Sequence, residues 1–149
     1  MRFLIQTVTE AAVRVDGNIV GSIDKGFLVF VGVGAGDTRE TADKMIRKLL
    51  AMRIFKDPDG KTNLSVRDVD GDVLVVSQFT LYADCRRGNR PSFTDASDPG
   101  TAEGLYEYII SEIRREIPRT EHGIFGADMK VSLINDGPFT IFLDSADLK

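Results

Sequence analysis

Alternation of apolar and polar positions dominates the opening of the chain. "RFLIQTV" and "AAVRVD" read as strand, and Asp16-Gly17 then gives a hairpin signal before "NIVGSID". "FLVFVGV" (27–33) is continuously apolar, the pattern of a strand covered on both faces. The period then changes. Ala42, Met45, Ile46, Leu49 and Leu50 recur at helical spacing, with Asp37 as the expected N-cap and Glu40 completing a capping box. "DPDG" (57–60) and "DVDG" (68–71) are turn clusters, and "VLVVSQFTL" (73–81) is the strongest strand of the middle region. Residues 84–98 form a polar loop rich in Gly, Pro and Ser. A second helix starts at Asp98-Pro99, an N-cap followed by proline at the first helical position. Ala102, Leu105, Tyr106, Ile109, Ile110 and Ile113 form its buried stripe.

The chain closes on two more strand-like runs, "MKVSLI" and "FTIFL", separated by "NDGPFT" (135–140). Pattern alone predicts a hairpin there, with a proline that removes a backbone donor and fixes φ at the mouth of a strand. The proline is either a rigid turn device or the mark of a main chain shaped to touch something. Strands outnumber helices and several are joined by tight turns. The expected fold class is therefore α+β: a largely antiparallel sheet carrying two main helices, in a single domain over residues 1–149.

Composition narrows the function classes. Hydrophobic content of 42% and charged content of 28% are ordinary for a globular protein with its own core. No apolar run approaches the roughly 20 residues of a membrane helix, so no membrane partner is expected. "MRFLIQTVTE" lacks a signal-peptide h-region and cleavage site. One cysteine, Cys85, allows no internal disulfide and suits a cytoplasmic setting. A net charge of −4 argues against coating nucleic acid over the whole surface, yet leaves room for a local basic patch.

Candidate chemistry is sparse. A single His and a single Cys, far apart, give no zinc ligand set, and the "D-x-D-G" pieces lack the bidentate Glu of a calcium loop. No metal and no cofactor are expected. Cys85 lies beside Arg86 and Arg87, which would favour a thiolate, but nothing in the sequence brings His122 to it as a base. "GVGAGD" (32–37) lacks the third glycine of a dinucleotide fingerprint. "CRRGNRPSF" (85–93) combines Arg86, Arg87 and Arg90 with Gly88 and Phe93; it suits phosphate contacts and base stacking, or is a solvated charged loop. In "SQFTLYAD" (77–84), Ser77, Gln78 and Thr80 end an apolar strand. They either satisfy one another across the sheet or line a polar cleft. Thr80 is the natural nucleophile candidate, without a His or Lys evidently placed to activate it.

Taken together, "VVSQFTL" (75–81), "RRGNRPSF" (86–93), "FGADMKVSLINDGPFT" (125–140) and "IQTVTEAAVRVDG" resemble the D-aminoacyl-tRNA deacylase family. The likeness runs in order over nearly the whole chain, leaving only the tail after Leu143 outside. It implies a barrel-like β fold with helices and a cytoplasmic homodimer with active sites at the interface. It also implies hydrolysis of the ester joining a D-amino acid, or glycine, to the 3′-terminal adenosine of tRNA. By the resemblance, Gly137 and Pro138 form a cis peptide that enters the partner's pocket as a chiral gate. Ser77, Gln78, Phe79 and Thr80 form the opposite, catalytic wall, with the Phe79 N–H the expected holder of the carbonyl oxygen. Met129 lines the adenosine pocket, and Arg86, Arg87 and Arg90 contact tRNA phosphates. The competing reading is a non-catalytic nucleic-acid-binding homodimer on the same fold. A general esterase is disfavoured by the absence of "G-x-S-x-G".

Overall fold

The computed structural model describes residues 1–149. Five strands follow the order β2 (Asn18–Ile23), β1 (Arg2–Val15), β3 (Gly26–Gly32), β6 (Asp72–Ser77) and β7 (Thr120–His122). A sixth, β8 (Lys130–Asp144), pairs with β1 alone. A separate two-stranded ribbon joins β4 (Phe55–Lys56) to β5 (Thr62–Leu64). The pairs around β1 are antiparallel, as the tight turns imply. β3–β6 and β6–β7 are parallel. Parallel neighbours need crossovers; α1 (Arg39–Ala51) and α2 (Pro99–Glu116) lie on those two connections.

Two cores share this sheet. Leu28 of β3, Leu74 and Val76 of β6, and Val8, Ala11 and Val13 of β1 fill the inside of the curved sheet. Phe27, Val29, Val73 and Val75 point the other way, onto the apolar stripes of α1 and α2. The unbroken apolar runs of β3 and β6 are thus explained by burial on both faces. Each fully buried aliphatic or aromatic side chain contributes roughly 1.5–3 kcal/mol. The sheet nearly closes on itself where β2 meets β7: a Cβ at Gly21 would lie 2.6 Å from the His122 carbonyl oxygen, so only glycine allows that approach.

Three expectations need correction. The cap of α1 is Thr38, whose hydroxyl accepts from the Thr41 N–H while the Thr41 hydroxyl accepts from the Thr38 N–H. Asp37 is drawn elsewhere, its carboxylate accepting from the Met1 amino group (2.8 Å) and the Gly34 N–H (2.7 Å). The strand expected over 73–81 stops at Ser77, and Phe79–Tyr82 turns as a 3-10 helix. Finally, "NDGPFT" makes no hairpin. Residues 130–135 and 140–144 both pair antiparallel with the same strand, β1, so the chain runs on in one direction through the proline. Gln6 faces Thr140 and Val8 faces Asn135, so 136–139 are thrown out as a loop opposite the single residue Thr7.

Candidate active site

β3 and β6 run parallel, and their C-terminal ends open together onto a cavity of about 580 Å³. A crevice beyond the carboxyl ends of parallel strands is a common place for ligands. Val31 of β3 and Val33 just beyond it floor one side, and Val76 and Ser77 of β6 the other. Gln78 and Phe79 continue its wall, and Met129 and Phe125 close the far side. Phe93, from the polar loop, meets Phe79 edge to face at 4.9 Å, so two aromatic rings stand at the rim.

The turn after β6 has a distinct backbone arrangement. The Gln78 N–H is taken by the Val31 carbonyl (2.8 Å), and the Leu81 N–H by that of Gln78 (3.2 Å). No turn or loop bond engages the N–H groups of Phe79 and Thr80 between them. Arg2 grips the turn from behind, donating to the Leu81 carbonyl (2.9 Å) and to Asp144 (2.8 Å) while its guanidinium lies 4.4 Å from the Tyr82 ring. Burial and the nearby carboxylates push the Tyr82 phenol up to about 12, so it is neutral and no base. The Thr80 hydroxyl accepts from the Gln78 amide, is exposed, and stands outside the cavity lining. His122 lines a different depression with Glu103 and Arg114, and its ring pairs with the Gly123 carbonyl at 2.7 Å. No base reaches Thr80 or the exposed Cys85 from there.

The second motif lies elsewhere. The Gly137–Pro138 peptide is cis, with Gly137 at φ 118°, where a side chain is strained. Both residues are exposed on β8, outside the lining of the cavity that their own chain forms. The structure therefore unites Ser77, Gln78, Phe79 and Met129, and leaves Thr80, Gly137 and Pro138 apart from them.

The basic loop is also divided. Asp84 and Ser92 exchange backbone bonds of 2.7 and 2.9 Å, which closes the loop at its base. Arg86 is held by Asp84 through two 2.8 Å contacts, and this pairing lowers the Asp84 carboxyl to about 2. Arg87 and Arg90 are exposed and have no acidic partner. Sequence reasoning passed over Arg2, Ser97 and Phe125. Arg2 and Phe125 stand inside stretches read for their strand pattern or family likeness, and only tertiary contact brings these three residues to the site.

The chain is similar to known proteins over nearly its whole length. The model of the D-Tyr-tRNA(Tyr) deacylase family matches residues 4–144. A D-aminoacyl-tRNA deacylase of Thermosipho melanesiensis is 53% identical over 146 residues, 97% of each chain. One of Thermotoga petrophila is 53% identical over 148 residues, 99% of each. Among solved structures, the c-Myc DNA Unwinding Element Binding Protein superposes with a TM-score of 0.92 at 38% identity, over 97% of this chain and 98% of that one. A probable eukaryotic D-amino acid tRNA deacylase shares the fold at TM-score 0.84 and 18% identity, over 95% and 97% of the two chains. A family model spanning nearly the whole chain, with relatives identical at more than half of the aligned positions, places this protein in the D-Tyr-tRNA(Tyr) deacylase family.

Proposed function

We propose that this protein is a hydrolase that cleaves the ester between a D-amino acid, or glycine, and the 3′-terminal adenosine of tRNA, and that it rejects L-aminoacyl-tRNA. One observation carries the reading within this family: the Phe79 N–H is left uncommitted at the wall of the cavity, with the free Thr80 N–H next to it in the chain. A backbone N–H there, Phe79 first, holds the ester carbonyl oxygen as negative charge develops on it. Water adds to that carbonyl, assisted by the ribose 2′-hydroxyl. The C–O ester bond then breaks, releasing the amino acid and the 3′-hydroxyl of tRNA. Met129 and the Phe79–Phe93 pair offer apolar and aromatic surface to the adenosine.

The chiral element is assigned to Gly137–Pro138. Its carbonyl oxygens accept from the substrate ammonium, and its main chain occupies the space an L-side chain would need. Rejection by backbone does not depend on which D-side chain is attached. Because this loop stands outside its own chain's cavity, the assignment requires a second copy that lends the loop across the interface. The working unit is thus a homodimer of a single 149-residue domain, acting on aminoacyl-tRNA in the cytoplasm. No helix is long and apolar enough to cross a membrane.

The 38%-identical solved structure is named for binding a DNA unwinding element, and that likeness favours a second reading: a non-catalytic nucleic-acid-binding homodimer. One assay separates the two. With purified protein and D-tyrosyl-, L-tyrosyl- and glycyl-tRNA, the expected result is release from the D and glycyl substrates and none from L. Equal release of both enantiomers would remove the gate, and no release from any would favour the binding module.

A further inference from the structure

Loop 136–139 is tied down by few groups, and one of them lies in a different part of the sequence from the motif. Thr7, on β1, is the single residue opposite the four that are thrown out. Its side chain is buried, with 3% of the residue exposed, among a core that is otherwise almost wholly apolar. The hydroxyl donates to the Asp136 carbonyl at 2.6 Å, directly before Gly137. The Thr7 carbonyl accepts from the Asn135 amide at 2.9 Å, and the same amide nitrogen donates to the Phe139 carbonyl at 3.0 Å. The Thr140 hydroxyl completes the ring by donating to the Asn135 side-chain oxygen at 3.4 Å. Both ends of the loop are therefore pinned to one point on β1. A buried hydroxyl has to find an acceptor, and here that need aims a main-chain carbonyl.

We propose that Thr7 is a positioning residue for stereochemical selection: its hydroxyl fixes the height and tilt of the Gly137–Pro138 segment above β1. The inference rests on the gate assignment above and adds a residue that touches no substrate. A backbone gate excludes by position, so a displacement on the order of 1 Å is enough to change reaction rates by about a hundredfold. A loose gate admits the wrong enantiomer while the Ser77–Thr80 wall still acts on the right one.

The test compares hydrolysis of D-tyrosyl- and L-tyrosyl-tRNA by wild type, Thr7→Val and Thr7→Ser, with thermal melting as a check on folding. Valine keeps the shape and removes the hydroxyl; serine keeps the hydroxyl. The expected result is a fall of the D/L rate ratio by about tenfold or more in Thr7→Val, chiefly through faster release from L, and a near wild-type ratio in Thr7→Ser. A residue that only stabilised the fold would lower both rates together and leave the ratio unmoved. An unchanged ratio in a folded Thr7→Val overturns the inference while leaving the gate standing. A wild type that does not discriminate overturns the gate itself. If the valine variant does not fold, Asn135→Asp, on the half-exposed side of the same ring, removes two donors, and its D/L ratio decides on the same terms.

Discussion

β6 and β8 each deliver one wall of the proposed site, and they are built in opposite ways. From Asp72 to Val76 every residue of β6 is buried, between β3 and β7 and between two cores. β8 has no buried residue along its fifteen positions and leans on β1 alone. Ile134 and Phe142 of β8 remain 54% and 51% exposed. The first wall is thus complete within one chain, set by packing that any displacement would disturb. The second is anchored on one edge only, and its apolar side chains still face outward. On the proposed reading, catalytic geometry is invested in the rigid strand, and selection is placed on the strand that a second copy would cover.

Truncation tests that contrast most directly. Leu74→Ala should lower unfolding free energy by about 2–5 kcal/mol, since Leu74 is fully enclosed inside the sheet. Ile134→Ala should move the unfolding of the separated chain by about 0.5 kcal/mol or less. Denaturant titration at low protein concentration measures both, and equal costs would mean that β8 is held as firmly as β6.

A smaller effect is expected at the basic loop, where Arg87 and Arg90 are the exposed cations without an acidic partner. Arg87→Ala with Arg90→Ala should weaken tRNA binding about tenfold at moderate salt and reduce the log–log salt slope by about 1.4–1.8. Arg86→Ala should change that slope less, because Asp84 already neutralises its charge. The Asp84 carboxyl is held below its ordinary value, so the pair persists above about pH 4 and opens only as pH falls towards about 2. Binding isotherms across a salt series separate the three arginines, and equal slopes for all would show that Arg86 is free.

The smallest effect is expected at Thr80. If the β6 wall works through its backbone, Thr80→Ala should keep D-aminoacyl-tRNA turnover within about threefold, well short of the hundredfold or more expected for loss of a general acid–base group. Abolished turnover with intact binding and fold would return Thr80 to the role of nucleophile.

Much of the architecture was legible because burial leaves a periodic trace. The stripes of α1 and α2, the Asp98-Pro99 start and the doubly covered β3 all stand where the pattern puts them. The parallel pairings left a trace too, in apolar runs separated by helices, although tight turns elsewhere suggested a more uniformly antiparallel sheet. Local chemistry misled where a distant partner competed. Asp37 lost its capping role to the Met1 amino group and the Gly34 N–H, and a turn-rich "NDGP" became an excursion because β1 is long enough to pair on both sides of it. The site was legible as two motifs. Their separation was expected only from the family resemblance, since pattern by itself carries no information about how far apart two motifs stand.

The unbroken course of β8 also constrains how this sequence can drift. Its two halves read the same template strand, and side chains on a strand change face with each residue. Because each half is held by its own pairing with β1, losing or gaining one residue between Asn135 and Thr140 would change the size of the excursion opposite Thr7 and leave the faces of both halves as they are. What binds its count is the ring beneath it, since a longer or shorter loop would move the Asp136 and Phe139 carbonyls away from the Thr7 hydroxyl and the Asn135 amide that hold them. Insertions and deletions in descendants of this chain should accumulate at the Asp57–Gly60 and Asp68–Gly71 turns long before they touch this one.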